Sequence, residues 1–265
     1  MTISWSAYRK ARRRSRQAWA LVVLLAIAAV GSVVWFFTAG QFAAAEPAIP
    51  GPTEAPVFDA AWMKPVAPVH TVPRGSARAA LDGLAVKGRA SNDSYEREAF
   101  GQAWLDVDRN GCDTRNDILR RDLTGVVFAD GSTCRVAAGS FHEPYTGLTM
   151  EFRRGQESSK AVQIDHVVAL GDAWQKGAQQ LTPVQRQRLA NDPVNLIAAD
   201  GPANQQKSAA DAATWLPKNK AFRCHYVARQ ITVKAAYGLW VTEAEKDAMK
   251  RVLDTCPDQR TVTAG

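Results

Sequence analysis

An uncharged stretch of 22 residues, 18–39, limits which part of this chain can form a globular domain. About 20 apolar residues are enough to cross the hydrocarbon core of a bilayer. Residues 1–17 contain six basic side chains and no acidic one, and such a flank holds the N-terminus in the cytoplasm. We therefore expect a basic cytoplasmic tail over 1–17 and a transmembrane anchor over 18–39, with the rest of the chain exported.

A cleavable signal peptide is the alternative for the same stretch. Ala43, Ala44 and Ala45 could form a small-residue cleavage site, but the apolar part of a signal peptide usually spans about 7–15 residues. The length of the stretch therefore favours an anchor that is not cleaved. We expect a single-pass membrane protein with its N-terminus inside or, after cleavage near Ala45, a secreted protein.

Residues 40–75 are expected to form a tether between the anchor and the folded domain. Seven prolines lie between residues 46 and 74, and this composition is typical of an extended, semi-rigid linker. The folded domain then covers residues 76–265. The formal net charge of +7 does not indicate a polyanionic partner for this domain, because six of the charges precede residue 18 and only +1 remains for the rest.

Four cysteines lie at positions 112, 134, 224 and 256, and none of them belongs to a C-x-x-C pair. A zinc ribbon is therefore disfavoured. In an exported protein an even number of cysteines indicates disulfide bonds. The simplest pairing is local, Cys112 with Cys134 and Cys224 with Cys256, although the sequence leaves three pairings open.

Helical and extended segments both occur in the domain, and we expect an α+β fold. Extended segments are expected between 124 and 152, and Thr182-Pro183 is expected to open a helix that ends near residue 190. Further helices are expected near 95–102 and, after residue 200, over 203–213, 221–236 and 242–254.

A carboxylate and an imidazole lie side by side at Asp165-His166, inside a short apolar run. A carboxylate in such a place is costly unless it is paired or binds a cation. A second short strand with Asn195 follows, and then a helix with Asn204 and Lys207, which are three residues apart and so lie on one side of the helix. The order strand, strand, helix with these polar residues indicates one common site.

These residues resemble the HNH endonuclease superfamily, and more closely its GmrSD-type branch. The matching segments are Ile164-Asp165-His166-Val167-Val168, then Asp192-Pro193-Val194-Asn195-Leu196, then Asn204-Gln205-Gln206-Lys207. The resemblance implies a ββα-metal finger over about 162–212, embedded in a mostly helical domain with a small β-region. It also implies an endonuclease of low sequence specificity that hydrolyses phosphodiester bonds of DNA ahead of RNA, as a monomer.

The resemblance also implies a role for each site residue. His166 would take a proton from the attacking water, and Asn195 would hold the His166 ring in orientation. Asp165 and Asn204 would bind one divalent cation, Mg²⁺ ahead of Mn²⁺ or Zn²⁺. Lys207 would bind a substrate phosphate.

The alternation of side chains along a strand opposes part of this assignment. Neighbours on a regular strand point to opposite faces, so Asp165 and His166 should not share one site. A strand end or a β-bulge would bring them together. We therefore predict an irregularity at this pair, and a regular strand would weaken the metal role of Asp165.

Other polar and aromatic residues have structural explanations that weigh at least as much as functional ones. Asp113 and Arg115 could contact phosphate, but a helix-capping Asp113 and a structural Arg115 are equally good interpretations, and Asn204 could itself be a helix cap. His70 is assigned to the tether, His142 to a turn and His225 to an amphipathic helix. Four tryptophans are assigned to the core rather than to base stacking: Trp104, Trp174, Trp215 and Trp240.

Two other function classes remain open at this point. The first is a non-catalytic binding protein of the cell envelope that kept the fold, for which no divalent ion is needed. The second is a restriction-type nuclease domain, which acts in a reducing cytoplasm. The anchor and the cysteines disfavour this second class.

Overall fold

The computed structural model of the protein describes residues 72, 74–155 and 158–263, and it shows a mixed α+β domain. The strands are β1 (Thr124–Phe128), β2 (Val136–His142), β3 (Thr149–Arg153), β4 (Val162–His166) and β5 (Leu196–Asp200). The helices are α1 (Ala77–Asp82), α2 (Thr114–Asp122), α3 (Ser158–Ala161), α4 (Leu170–Gln175), α5 (Pro183–Ala190), α6 (Gly201–Lys207), α7 (Arg223–Ala236) and α8 (Glu243–Leu253). Short 3₁₀ turns lie at Arg97–Phe100, Ala178–Gln180 and Lys220–Phe222.

The strands form two separate antiparallel sheets. β1, β2 and β3 follow one another in a three-stranded sheet, whereas β4 pairs with β5 alone. The β4–β5 register runs without interruption from the pair Val162–Asp200 to the pair His166–Leu196. No β-bulge lies at Asp165-His166, because each residue of β4 has one partner on β5. The pair does lie at a strand end, since His166 is the last residue of β4, but the regular register leaves the two side chains on opposite faces.

Helix α6 follows β5 directly and packs against both β4 and β5. Its N-cap is Asp200, whose carboxylate accepts a hydrogen bond from the amide of Ala203. Its first residue is Gly201, where an added Cβ would lie 2.1 Å from the backbone oxygen of Lys160. Only glycine allows the helix to begin this close to the chain that leads into β4. The predicted succession of strand, strand and helix is thus present.

The largest helix, α7, lies in the centre of the domain. Ten of its fourteen residues are buried, and its Tyr226, Val227 and Ile231 belong to a core that also takes side chains from α1 and α8. A second cluster forms around Trp174 and Leu189, which places the end of α5 beside α4 and the 3₁₀ turn at Arg97–Phe100. Burial of these apolar side chains holds the β4–β5–α6 unit in a mainly helical surrounding.

Two disulfide bonds join the pairs that the simplest local pairing predicted, Cys112–Cys134 and Cys224–Cys256. The first ties the loop before α2 to the segment before β2. The second ties the start of α7 to the chain that follows α8. Both close loops of moderate length, and such bonds stabilise a domain mainly by restricting its unfolded state.

Within residues 72, 74–155 and 158–263, no helix combines the length and apolar character needed to cross a membrane. The predicted tail over 1–17, the anchor over 18–39 and nearly all of the tether over 40–75 lie outside the described residues. These assignments stay predictions, as does the role of His70.

Candidate active site

His166 is the last residue of β4, and its ring contacts the end of α5. The side chain is buried, with 8% of its surface exposed, and Nε2 lies 2.8 Å from the backbone oxygen of Ala190. Because a carbonyl oxygen can only accept, Nε2 must donate this hydrogen bond. The neutral ring therefore has its proton on Nε2 and its free electron pair on Nδ1.

Burial lowers the pKa of His166 from 6.5 to about 4. The positive charges of Arg97 and Lys207 act in the same direction, while the bond to Ala190 opposes the shift. The imidazole is therefore neutral at pH 7. A neutral imidazole with an electron pair on Nδ1 is in the protonation state that a general base requires.

A small surface pocket gives access to His166. Its other walls come from Leu170, Ala190 and the segment 97–104, which includes Arg97, Phe100 and Trp104. Arg97 and Glu98 are both exposed and both line the pocket, so a cation and a carboxylate lie beside the imidazole. The arrangement places a neutral base, a cation and an anion around one cavity.

Asn195 fixes both chain segments that hold His166. Its side chain is fully buried, and its Oδ1 accepts from the amide of Val168 at 2.8 Å. Its Nδ2 donates to the backbone oxygens of Val168 and Leu189, and its own backbone oxygen accepts from Val167. Asn195 thus joins the chain after His166 to the end of α5, without a hydrogen bond to the ring itself.

Asp165 lies on the side of β4 opposite to His166. Its Oδ2 accepts a hydrogen bond from the hydroxyl of Tyr145 at 2.5 Å, and its Oδ1 lies 3.0 Å from Nζ of Lys207. Burial raises the pKa of Asp165, whereas Lys207 and Tyr145 oppose that rise. The strand alternation therefore separates the two neighbours into different surroundings.

Lys207 does not face solvent, which disfavours the phosphate-binding role that stays a prediction for it. The side chain is fully buried. Its ammonium donates to Oδ1 of Asp165 and, at 2.8 Å, to the backbone oxygen of His166. An ammonium enclosed in this way is bound to two neighbouring residues of β4 and is not available to a nucleic acid phosphate.

The predicted metal pair, Asp165 and Asn204, does not fit a divalent ion in this arrangement. Both oxygens of Asp165 already have partners, one of which is a cation that would repel a metal ion. The amide nitrogen of Asn204 donates to Oε1 of Gln163. In the described ranges, no group of three or more His, Cys, Asp or Glu side chains is placed to hold a metal ion. Asn204 is not the helix cap either, since Asp200 fills that position.

Asp113 and Arg115 have structural roles. Asp113 is the N-cap of α2, and its carboxylate accepts from the amide and the side chain of Asn116. Arg115 places its guanidinium 5.9 Å from the ring centroid of Trp104, and burial lowers the pKa of Arg115. Asp113 therefore acts as a helix cap, and its phosphate role stays a prediction, as does that of Arg115, which contacts Trp104 on the pocket wall.

The other candidates lie away from the pocket. His142 is exposed at the end of β2, and His225 on α7 accepts a hydrogen bond from Arg229. Trp174, Trp215 and Trp240 pack in the core or against it, as predicted. Trp104 also packs against a core cluster, but in addition it lines the pocket of His166.

Sequence patterns missed Arg97, Trp104 and Tyr145 as members of this region. Tyr145 lies in the loop between β2 and β3, and the other two lie before α2. All three reach the β4–β5–α6 unit across long sequence distances. No local motif could reveal such contacts.

Comparisons with known proteins give one family match and one similar protein. Residues 113–252, just over half of the 265, match the family model for "GmrSD restriction endonucleases, C-terminal domain". An "Uncharacterized secreted protein" of Arthroderma benhamiae is 39% identical over 196 residues, covering 72% of this chain and 91% of that protein. No solved structure gives a significant match.

Proposed function

This chain belongs to the family of the GmrSD restriction endonuclease C-terminal domain, and on that basis we propose that it is an endonuclease of the HNH type. It hydrolyses phosphodiester bonds of nucleic acid, DNA ahead of RNA, with low sequence specificity. The observation that supports this most is His166: a neutral imidazole, fixed through Nε2, on the wall of a surface pocket.

In the proposed reaction His166 acts on the attacking water. Nδ1 accepts a proton from the water while the water oxygen forms a bond to phosphorus and the bond from phosphorus to the 3′-oxygen breaks. The leaving oxygen takes a proton from solvent, and His166 later returns its own proton to solvent. A positioned general base of this kind contributes about 10²–10⁴-fold to a rate.

Two residues assist this step. Arg97 would attract the scissile phosphate and stabilise the negative charge that develops on it, because its guanidinium lies beside the pocket. Asn195 is a positioning residue, since it holds both the chain after His166 and the end of α5 whose Ala190 binds the ring.

The family resemblance also implies one divalent cation, with Mg²⁺ preferred. Such an ion would need Asp165, whose carboxylate is held by Lys207 and Tyr145 on the other side of β4. Because these residues do not fit the ion as they stand, the proposed reaction assigns no step to a cation. Cleavage assays with each divalent ion and with chelator measure the cation dependence directly.

We further propose that the enzyme acts outside the cytoplasm as a monomer, anchored through residues 18–39 or secreted after cleavage near Ala45. The two disulfide bonds support an oxidising compartment. The relative from Arthroderma benhamiae is described as a secreted protein, which agrees with export.

The activity is tested by incubating the purified full-length protein with plasmid DNA and with RNA, in Mg²⁺, Mn²⁺, Zn²⁺ or chelator. We expect cleavage by the wild type and a loss of about 10²–10⁴-fold in kcat for His166→Ala. The variant His142→Ala is the matched control, because that exposed histidine lies at the end of β2 and should leave cleavage unchanged. Equal cleavage by wild type and His166→Ala would exclude this mechanism.

A non-catalytic binding protein that kept the fold is the second candidate. The pairing of Asp165 with Lys207 favours it, because a structural ion pair occupies the carboxylate that the resemblance assigns to metal. Its signature would be nucleic acid binding without cleavage under any of these conditions. His166→Ala would then bind as tightly as the wild type.

A further inference from the structure

We infer that Trp104 is a platform for a nucleobase of the substrate, and that the strand at the cut is therefore single-stranded or locally unpaired. This inference rests on the proposed endonuclease function and concerns the substrate that the same pocket accepts. It assigns a role to an aromatic side chain that differs from the core tryptophans by its position beside His166.

The backbone at Trp104 has a conformation that bulky residues rarely adopt. Its φ is 59°, in the left-handed region, where a non-glycine residue costs about 1–3 kcal/mol and needs support from its surroundings. The side chain packs against the core cluster that contains Ile118 and Leu119 and also lines the pocket of His166. Core packing alone therefore does not account for its position.

Asn191 supplies the support and links Trp104 to His166. Its buried side chain accepts from the amide of Leu105 at 3.0 Å and donates to the backbone oxygen of Gln102 at 3.1 Å. Asn191 therefore binds the chain on both sides of Trp104. It directly follows Ala190, whose oxygen binds the His166 ring, so one helix end positions both the indole and the imidazole.

The side of the indole near Arg115 is already covered. The Arg115 guanidinium lies 5.9 Å from the ring centroid, a distance typical of a cation–π contact. The Trp104 side chain is partly buried and partly open to the pocket. Its open part can receive a flat apolar partner, while the exposed Arg97 on the same pocket can bind the adjoining phosphate.

A nucleobase is the flat partner that agrees with this chemistry. Stacking of a base on an aromatic side chain depends little on base identity, because every base has a π face, and this agrees with low sequence specificity. Inside a duplex both faces of a base are covered by its neighbours. A base can reach Trp104 only from a single strand or after it has left the stack.

The recessed position of His166 agrees with the same substrate. Only 8% of the residue is exposed, and the stiff backbone of a duplex enters a small pocket less readily than a flexible single strand does. A single strand bends freely and can bring one phosphate to the imidazole while its neighbouring base rests on the indole.

The test separates binding from cleavage. A labelled 12-nucleotide single strand and the same sequence as a duplex are titrated with full-length His166→Ala protein, at one fixed salt concentration because phosphate binding depends on salt. Fluorescence anisotropy gives Kd. We expect the single strand to bind more tightly, and Trp104→Ala in this background to raise its Kd about 5- to 150-fold.

Two further variants keep the inference falsifiable if Trp104→Ala does not fold. Trp104→Phe keeps a π face and should keep most of the affinity, whereas Trp104→Leu keeps apolar volume without a π face and should lose it. Tighter binding of the duplex, or equal Kd values for Trp104→Phe and Trp104→Leu, would overturn the inference. Cleavage by the wild-type protein is measured separately, so Trp104-dependent binding without any cleavage would remove only the proposed activity.

Discussion

Lys207 binds Asp165 and His166 at once, through the carboxylate of the former at 3.0 Å and the backbone oxygen of the latter at 2.8 Å. The ammonium is fully buried. The two neighbours on β4 therefore have different roles: Asp165 belongs to a buried polar cluster with Lys207 and Tyr145, and only His166 faces the pocket.

Removal of the Lys207 ammonium should destabilise the domain strongly. In Lys207→Met the Asp165 carboxylate would stay buried without its cation, and breaking a buried ion pair costs about 3–5 kcal/mol. Urea denaturation measures this loss. The double variant Lys207→Met with Asp165→Asn removes the unpaired charge and should recover part of the lost stability. A double variant no more stable than Lys207→Met would contradict the pairing.

The rate of cleavage should fall on acidification with an apparent pKa near that of His166. Burial lowers that pKa to about 4, so the free enzyme keeps a neutral base throughout the range above it. A profile of kcat/KM against pH reports this value. An acid limb centred near 6.5 would show instead that the imidazole is solvated in the active enzyme.

The stability of the wild type should also depend on His166 between pH 6.5 and 4. In this interval the unfolded histidine binds a proton and the folded one does not, so stability rises with pH and is lost as pH falls. A shift of the His166 pKa from 6.5 to about 4 corresponds to a change of at most about 3 kcal/mol in the free energy of unfolding. The measurement is the free energy of unfolding at several pH values for wild type and His166→Gln, and equal slopes would contradict a buried neutral ring.

Loss of the Asn195 side chain should affect both stability and catalysis. Asn195→Ala leaves three buried backbone groups without their partner, which costs about 1–3 kcal/mol for each group left unsatisfied. If Asn195 positions His166, kcat should fall while KM changes little. The apparent pKa of the acid limb of the pH–rate profile should also rise from about 4 towards 6.5, because the ring becomes more exposed to solvent. A variant that is less stable yet keeps the wild-type pH profile would leave Asn195 with a structural role only.

Gly201→Ala should destabilise the start of α6. The added Cβ would lie 2.1 Å from the backbone oxygen of Lys160, and overpacking of this kind costs about 1–3 kcal/mol. Gly88→Ala is the matched control, since no atom lies within 4 Å of a Cβ there, and we expect a change within about 0.5 kcal/mol. Thermal unfolding monitored by circular dichroism compares the two.

Local rules predicted the parts of the fold whose signals are local. Thr182 caps α5 through a capping box with Gln185, and Pro183 begins the helix, as the sequence pattern indicated. The α+β class and both disulfide pairs are also confirmed. In each case the deciding chemistry lies within a few residues or in a small set of cysteines.

Two helices deviate from prediction for tertiary reasons. The helix expected over 203–213 ends at Lys207, because Ser208 takes a φ of 49° and Lys207 turns inward to Asp165. The helix expected near 95–102 is a single 3₁₀ turn, Arg97–Phe100, after which Gly101 has a φ of 74°.

The candidate site was predictable only in part. His166 and Asn195 stand in a recognisable pattern, and the rule of strand alternation correctly separates Asp165 from His166. The bulge, expected only to rescue a shared metal site, is absent. Arg97 and Trp104 come from a distant part of the chain, and only the packing of α5 against the 3₁₀ turn brings them to the pocket.

The two ends of the described domain lie side by side. Ser76 bridges to Arg260, the amide of Ala77 donates to Gln259, and that of Thr261 donates to Gly75. The first and last described segments of the domain are therefore neighbours. A short linker could join these ends, so the chain could be opened at a surface loop instead and still fold as a circular permutant.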